Sequence, residues 1–198
     1  MDLTGMKGAP VQMLTKRSID YSKCRRISIF GPPGSGKTTT AAILGQLMSL
    51  KVVNLDRFFW LPGWRKPGLK QWRGRVKELV SADEWIMEGN YFDTADIRLS
   101  RTDLVILLWV PSWVSAIRVA RRMVRNVGRV RPEMTLPERI NIPLLVKAFR
   151  FKHIKKEKFE KLRRDCAAAG IEVVTVDSSI KAYQILKAGK VTPPVRRK

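Results

Sequence analysis

One octapeptide constrains this chain more than any other feature. Gly31-Pro32-Pro33-Gly34-Ser35-Gly36-Lys37-Thr38 is a complete G-x-x-x-x-G-K-[ST] pattern. Just before it runs Arg26-Ile27-Ser28-Ile29-Phe30, short and β-rich. Just after it, Lys37 to Leu50 sets Ile43, Leu44, Leu47 and Met48 on one side of a helix. A strand that breaks on glycines and opens a helix turns a row of backbone N–H groups inward around an anion. The helix adds its own free N–H groups and the positive end of its dipole at the same point. The expected ligand is ATP with Mg²⁺. Gly31, Pro32, Pro33, Gly34, Ser35 and Gly36 form the cradle, Lys37 reaches the β- and γ-phosphates, Thr38 ligates the metal through its hydroxyl, and Thr39 touches an inner phosphate.

The rest of the chain alternates in a way that suits such a loop. Further strands are expected at 51–55, 85–87, 104–110 and 171–176, and the run Leu104 to Val110 is apolar enough for a strand buried on both faces. Helical periods fill 69–80, 112–125, 143–166 and 180–188. This is an α/β pattern, a parallel sheet with helices on both sides. Two stretches break the alternation: 57–75, rich in Trp, Pro and Gly, and 126–143, with Pro132, Pro137 and Pro143. Both are expected as insertions above the carboxyl ends of the strands, the first (about 57–80) shaping an acceptor site and the second (about 126–142) forming a lid. Residues 1–23 read as a loose basic extension, 24–190 as the domain itself, and 191–198 as a basic tail.

Charge is distributed unevenly. The chain of 198 residues carries a net +22, and residues 115–164 alone hold +12 of it. An anionic partner is expected: nucleotide phosphate, or nucleic acid through the basic surface. No apolar run is long enough to span a bilayer, and no membrane partner is expected. The start Met1-Asp2-Leu3-Thr4 lacks the basic and apolar regions of a secretory signal. Two cysteines, Cys24 and Cys166, and one histidine, His153, make neither a zinc site nor a disulfide scaffold, so the cytoplasm is the expected setting.

Later segments narrow the reading. Leu55-Asp56-Arg57-Phe58-Phe59-Trp60-Leu61-Pro62-Gly63-Trp64, then Trp85-Ile86-Met87-Glu88-Gly89-Asn90-Tyr91, then an arginine-rich helix after the fourth strand, resemble the adenylate-kinase-related proteins called DNA topology modulation proteins, of the FlaR type. The resemblance covers roughly residues 25–180. It implies a P-loop NTPase fold of the nucleoside/nucleotide kinase kind, three layers around a five-stranded parallel sheet of order 2-3-1-4-5, with a lid. It also implies that Asp56 holds the acceptor hydroxyl, that Glu88 stands near the metal, and that lid-side arginines clamp the triphosphate.

Spacing adds detail. Arg118, Arg121, Arg122 and Arg125 share one helical face, and four guanidiniums there repel one another unless an anion lies over them. Arg121, Arg122 and Arg125 are therefore candidates for the phosphates, with Arg122 and Arg125 catalytic. Arg57, Trp64, Gly89, Asn90, Tyr91 and Arg98 are candidates for the acceptor, Gly89 by allowing close backbone approach. Phe58, Phe59, Trp60, Trp64 and Trp72 either floor the acceptor pocket or pack the inserted lobe. The nine cations of 143–166 form a solvated face or a polyanion surface. The leading expectation is a P-loop kinase. The alternatives are a nucleic-acid-associated ATP-binding protein or weak ATPase, and a kinase acting on a nucleic-acid 5′ end.

Overall fold

A computed structural model describes residues 12–13, 19–130, 135–138, 140–188 and 190–191; side chains at 12–13, 19, 152–154 and 190–191 are not described. Arg131, most of the stretch 1–18 and the tail 192–198 lie outside the described residues. The parallel strands are β3 (Arg26–Phe30), β4 (Val52–Asn54), β5 (Trp85–Glu88), β6 (Leu104–Leu108) and β7 (Glu172–Val176). Their spatial order is β4-β5-β3-β6-β7, which is 2-3-1-4-5 in chain order. The first parallel strand thus lies mid-sheet, and the loop that leaves it opens at the centre of the carboxyl edge.

Alternation along the strands builds the layers. Ile27, Ile29, Leu104, Ile106, Leu108, Val174 and Val176 point to one face. There they meet Ala41 and Leu44 of α1 (Lys37–Met48) and Ala182 and Leu186 of α7 (Ser179–Lys187). Phe30, Val105, Leu107 and Val173 point the other way, onto α6 (Ile142–Ala168) through Phe151, Phe159, Leu162 and Cys166. A third cluster seats α3 (Leu69–Val80) by Trp72, Val76 and Val80 against Val53, Trp85 and Met87. In β6 odd and even residues are all buried, on opposite faces, which explains why it reads as an unbroken apolar run.

The stretch 1–23 differs from a wholly loose extension. β1 (Gln12–Met13) pairs antiparallel with Val174 and Thr175 at the sheet edge, and β2 (Ile19–Asp20) pairs with β8 (Lys190–Val191). Tyr21 is buried in the first core cluster. Two-residue strands lack the periodic signal that announces longer ones, and their pairing partners lie far along the chain. At the opposite end of the sheet from the phosphate loop, Asp103 accepts from the amides of Arg25 and Arg26, at 3.0 and 2.9 Å, and from the Arg26 guanidinium at 2.8 Å.

Candidate active site

The glycine loop is a backbone structure held from three sides. Gly34 has φ +75°, and a Cβ there would lie 2.6 Å from the Ser115 carbonyl oxygen, so only glycine fits against α5 (Ser112–Asn126). Ser115 Oγ in turn donates to the Pro33 carbonyl at 2.7 Å. Asn90 clamps the start of the loop in both directions: its Oδ1 accepts from the Gly31 amide at 3.1 Å and its Nδ2 donates to the Gly31 carbonyl at 2.8 Å. From the third side, Thr40 Oγ1 bonds Gly36 O at 2.9 Å and Ser179 Oγ at 2.8 Å.

Lys37 is folded onto this loop, its Nζ donating to Gly31 O at 3.0 Å and Pro32 O at 2.9 Å. Burial pulls its pKa down, with Arg122 and Lys147 adding repulsion, while Glu88 and Asp56 partly restore the charge. A buried ammonium beside inward-facing amides is an environment that a phosphate would complete. Ser35 Oγ, also buried in the loop, has no hydrogen-bond partner among the described residues. Thr38 Oγ1 donates to Glu88 Oε1 at 2.9 Å, and Asn54 Nδ2 bonds the same oxygen. A hydroxyl and a carboxylate meeting beside the loop suit Mg²⁺, which keeps its waters and phosphate oxygens and needs only one or two protein groups. No cluster of three or more His, Cys, Asp or Glu suited to a metal occurs among the described residues.

Across the cleft stand Asp56 and Tyr91. Asp56 opens α2 (Leu55–Phe59), whose first turn is capped by the Asn54 side chain accepting from the Asp56 amide at 2.9 Å. Tyr91 donates its hydroxyl to Asp56 Oδ1 at 2.5 Å, and burial followed by the Asp56 charge drives the phenol's pKa strongly upward, so it stays a donor. Gly89, at φ +139°, lets the chain turn here, where a Cβ would press on Leu55 and Tyr91. Phe59, Trp60 and Trp64 line the wall, Trp60 and Trp64 meeting edge to face at 5.3 Å, while Trp72 is buried beneath Phe59 and Tyr91. Within the aromatic cluster, Trp72 packs, and Trp60 and Trp64 face the cleft. The cleft has a volume of about 640 Å³.

No protein-family model matches the chain. Over 106 residues it is 27% identical to the uncharacterized protein YqaC of Bacillus subtilis (strain 168), a match taking in 52% of this chain and 60% of that one. The chain thus spans less than two thirds of this curated relative. Among solved structures it is similar to the shikimate kinase of Acinetobacter baumannii in complex with shikimate, with a TM-score of 0.56 at 18% identity over 85% of this chain and 94% of that one. It is also similar to the shikimate kinase of Bacteroides thetaiotaomicron, with a TM-score of 0.52 at 14% identity over 83% of this chain and 97% of that one. The fold is that of the P-loop kinases.

Within this kinase fold several expected contacts are rearranged. Arg98 does not face the cleft. It is wholly buried in α4 (Ala95–Leu99), donates to Gly89 O at 2.9 Å and, at longer range, to the carbonyls of Asn90 and Tyr91, and stacks over Phe30 at 4.2 Å. Burial lowers its pKa to about 9 against the pull of Glu88 and Tyr91. Arg98 thus holds the backbone that carries Asn90 and Tyr91 rather than touching a ligand. The arginine stripe of α5 also divides. Arg118 and Arg122, one turn apart, line the cleft, whereas Arg121 and Arg125 do not and are exposed. Arg125 is carried two turns past Arg118, and Arg121 is rotated outward. Arg57 is exposed on α2 and likewise lies off the cleft.

The flanks of the 126–142 stretch fold back on one another through bridges between Val127 and Glu138 and between Val130 and Pro137. Buried Glu138 meets Arg122 at 3.3 Å, so an acid from this stretch holds the α5 arginine. Polar cleft residues absent from the expected site include Asn54, Lys66, Asp93, Glu138, Asn141, Lys147, Lys155 and Lys158. The α6 lysines carried a readable signal, since 144, 147, 151, 155 and 158 follow one helical stripe. That stripe is one of several on a helix that carries cations all round.

Proposed function

We propose that the chain is an ATP-dependent phosphotransferase, a nucleoside/nucleotide-kinase-like enzyme of the adenylate-kinase-related, DNA-topology-modulation type, which moves the γ-phosphate of Mg-ATP to the hydroxyl of a small acceptor. One observation carries this reading: the glycine loop with Lys37 and the carboxylate of Asp56 open into the same cleft. A phosphate cradle alone suits any nucleotide binder. A carboxylate opposite it, anchored by Tyr91 with its second oxygen left to accept, supplies what transfer to a hydroxyl needs.

The loop amides bind the β- and γ-phosphates, and Lys37 exchanges two carbonyls for phosphate oxygens. Thr38 and Glu88 would hold Mg²⁺, which would supply charge neutralisation to the phosphates. Asp56 takes the acceptor's proton as the acceptor oxygen bonds the γ-phosphorus. The bond from that phosphorus to the bridging oxygen breaks, and its electron pair leaves with ADP. Arg122 turns from Glu138 toward the transferring group as the 126–142 lid closes and excludes water, and Arg118 supports it. Residues 57–80 supply the acceptor wall. The buried, unpaired Cys24 and Cys166 support a reducing, cytoplasmic setting.

The test is transfer of labelled γ-phosphate to a panel of nucleosides, sugars, their phosphates and oligonucleotide 5′ ends, with Lys37→Ala as control. Stoichiometric labelling of one acceptor class supports the proposal. ATP binding without transfer to any of them, together with oligonucleotide affinity that falls steeply with salt, overturns it in favour of a nucleic-acid-associated ATP-binding protein.

A further inference from the structure

Not every cation of the cleft belongs to the P-loop or to α5. Beyond Lys37, Arg118 and Arg122, which serve the triphosphate, α6 sends Lys147, Lys155 and Lys158 into the same space. Lys158 is compensated by Asp93 at 3.7 Å. Lys147 and Lys155 have no hydrogen bond or ion pair among the described residues. They lie eight residues apart on one helical stripe, about 12 Å along the axis. Lys147 is close enough to the loop to depress Lys37, and Lys155 stands toward Asp93, so the stripe leads away from the γ-phosphate along the acceptor side. On the outward side of α6, Lys156 and Lys161 are paired with Glu160 and Asp165. Of the three α6 lysines that line the cleft, Lys147, which is exposed, and Lys155 are the two without such a partner among the described residues.

We propose that the acceptor is a small phosphate monoester with a free hydroxyl, its phosphate held by Lys147 and Lys155 while the hydroxyl meets Asp56. This rests on the phosphotransferase reading and adds the acceptor's class. Two uncompensated ammonium groups match the charge of nearly −2 that a phosphate monoester carries at neutral pH. Lysines act on phosphate as point charges, as Lys37 does in the P-loop, and two of them neutralise a dianion without requiring one fixed orientation. Burial together with the charges of Lys158 and Lys147 lowers the Lys155 pKa, the strain that an arriving anion relieves. The Asp56 carboxylate argues that the nucleophile is a hydroxyl, which has a proton to lose, and not the phosphate. The new bond is then oxygen to γ-phosphorus, the bridging bond breaks toward ADP, the proton passes to Asp56, and the product carries two separate phosphate esters.

Two measurements on the full chain test this. With Mg²⁺ and a non-hydrolysable ATP analogue bound, lysines are acetylated with and without millimolar inorganic phosphate and quantified by peptide mass spectrometry. Labelling at Lys147 and Lys155 should slow about fivefold while Lys156 and Lys161 are unchanged. Uniform slowing at all four, or none, overturns the site. Protection of Lys37 by the analogue in the same digest reports separately on the phosphotransferase reading. In the second measurement, ribose and ribose 5-phosphate, then adenosine and its 5′-monophosphate, are offered with ATP, and products are read by phosphorus NMR. Ester formation confined to the phosphorylated members, with kcat/KM falling about tenfold in Lys155→Gln and recovering in Lys155→Arg, supports the proposal. Equal transfer to the neutral members, or a phosphoanhydride product, overturns it.

Discussion

The cations on the two sides of the cleft are treated differently by the protein. Lys37 and Arg98, below the loop and behind β5, are wrapped in backbone carbonyls: Gly31 and Pro32 for one, Gly89, Asn90 and Tyr91 for the other. Lys147 and Lys155, on α6, have nothing comparable. A cation clothed in carbonyls can be carried by the fold without a ligand, and it organises the backbone that surrounds it. A cation left bare beside others of like sign raises the energy of the empty site. The first kind builds the site and the second waits for something to bind.

Four measurements can break or sharpen this contrast. Lys37→Ala should lower transfer by about 10²–10³-fold, the scale for a lost transition-state donor, with the far-UV circular dichroism unchanged. If turnover stays normal, Lys37 belongs wholly to the scaffold and the contrast fails on that side. Arg98→Met should cost about 2–4 kcal/mol in urea unfolding, because three buried carbonyls lose a charged donor. A variant as stable as the parent would mean that the carbonyls do not need the guanidinium.

The third uses a control far from the cleft. Burial works to raise the Asp103 pKa, but the Arg26 guanidinium and two amides outweigh it and hold it below the usual value. The stability it adds is present above the unfolded pKa near 4 and is lost as pH falls through the lower folded value. Asp103→Asn should therefore cost about 1–3 kcal/mol at neutral pH, shrinking below about pH 4, with nucleotide binding untouched. The smallest effect is a proton. The Lys37 pKa lies below its ordinary value in the free protein, and arriving phosphates raise it. Mg-ATP binding at alkaline pH should then take up a fraction of a proton, seen as a dependence of calorimetric heat on the ionisation enthalpy of the buffer.

The sheet, the loop and the carboxylates were legible because each leaves a local mark: apolar runs for β3 and β6, glycines before a lysine, and Asp56 and Glu88 at strand ends. What escaped needed the fold. Arg98 looks like a surface cation until Gly89, Asn90 and Tyr91 turn their carbonyls onto it. The stripe through Lys147 and Lys155 could be counted along α6. Which stripe faces inward was decided by how Phe151, Phe159 and Leu162 seat the helix on the sheet. Arg121 and Arg125 share a face with Arg118 on paper, yet Arg121 is rotated outward and Arg125 lies beyond the end of the cleft.

Asn90 deserves a last consequence. Its amide grips both polar atoms of Gly31, while its neighbour Tyr91 restrains Asp56. A molecule that shifts this turn as it settles on one side necessarily tugs the nucleotide cradle on the other. The two substrates should therefore change each other's affinity, and by reciprocity to the same factor whichever is added first.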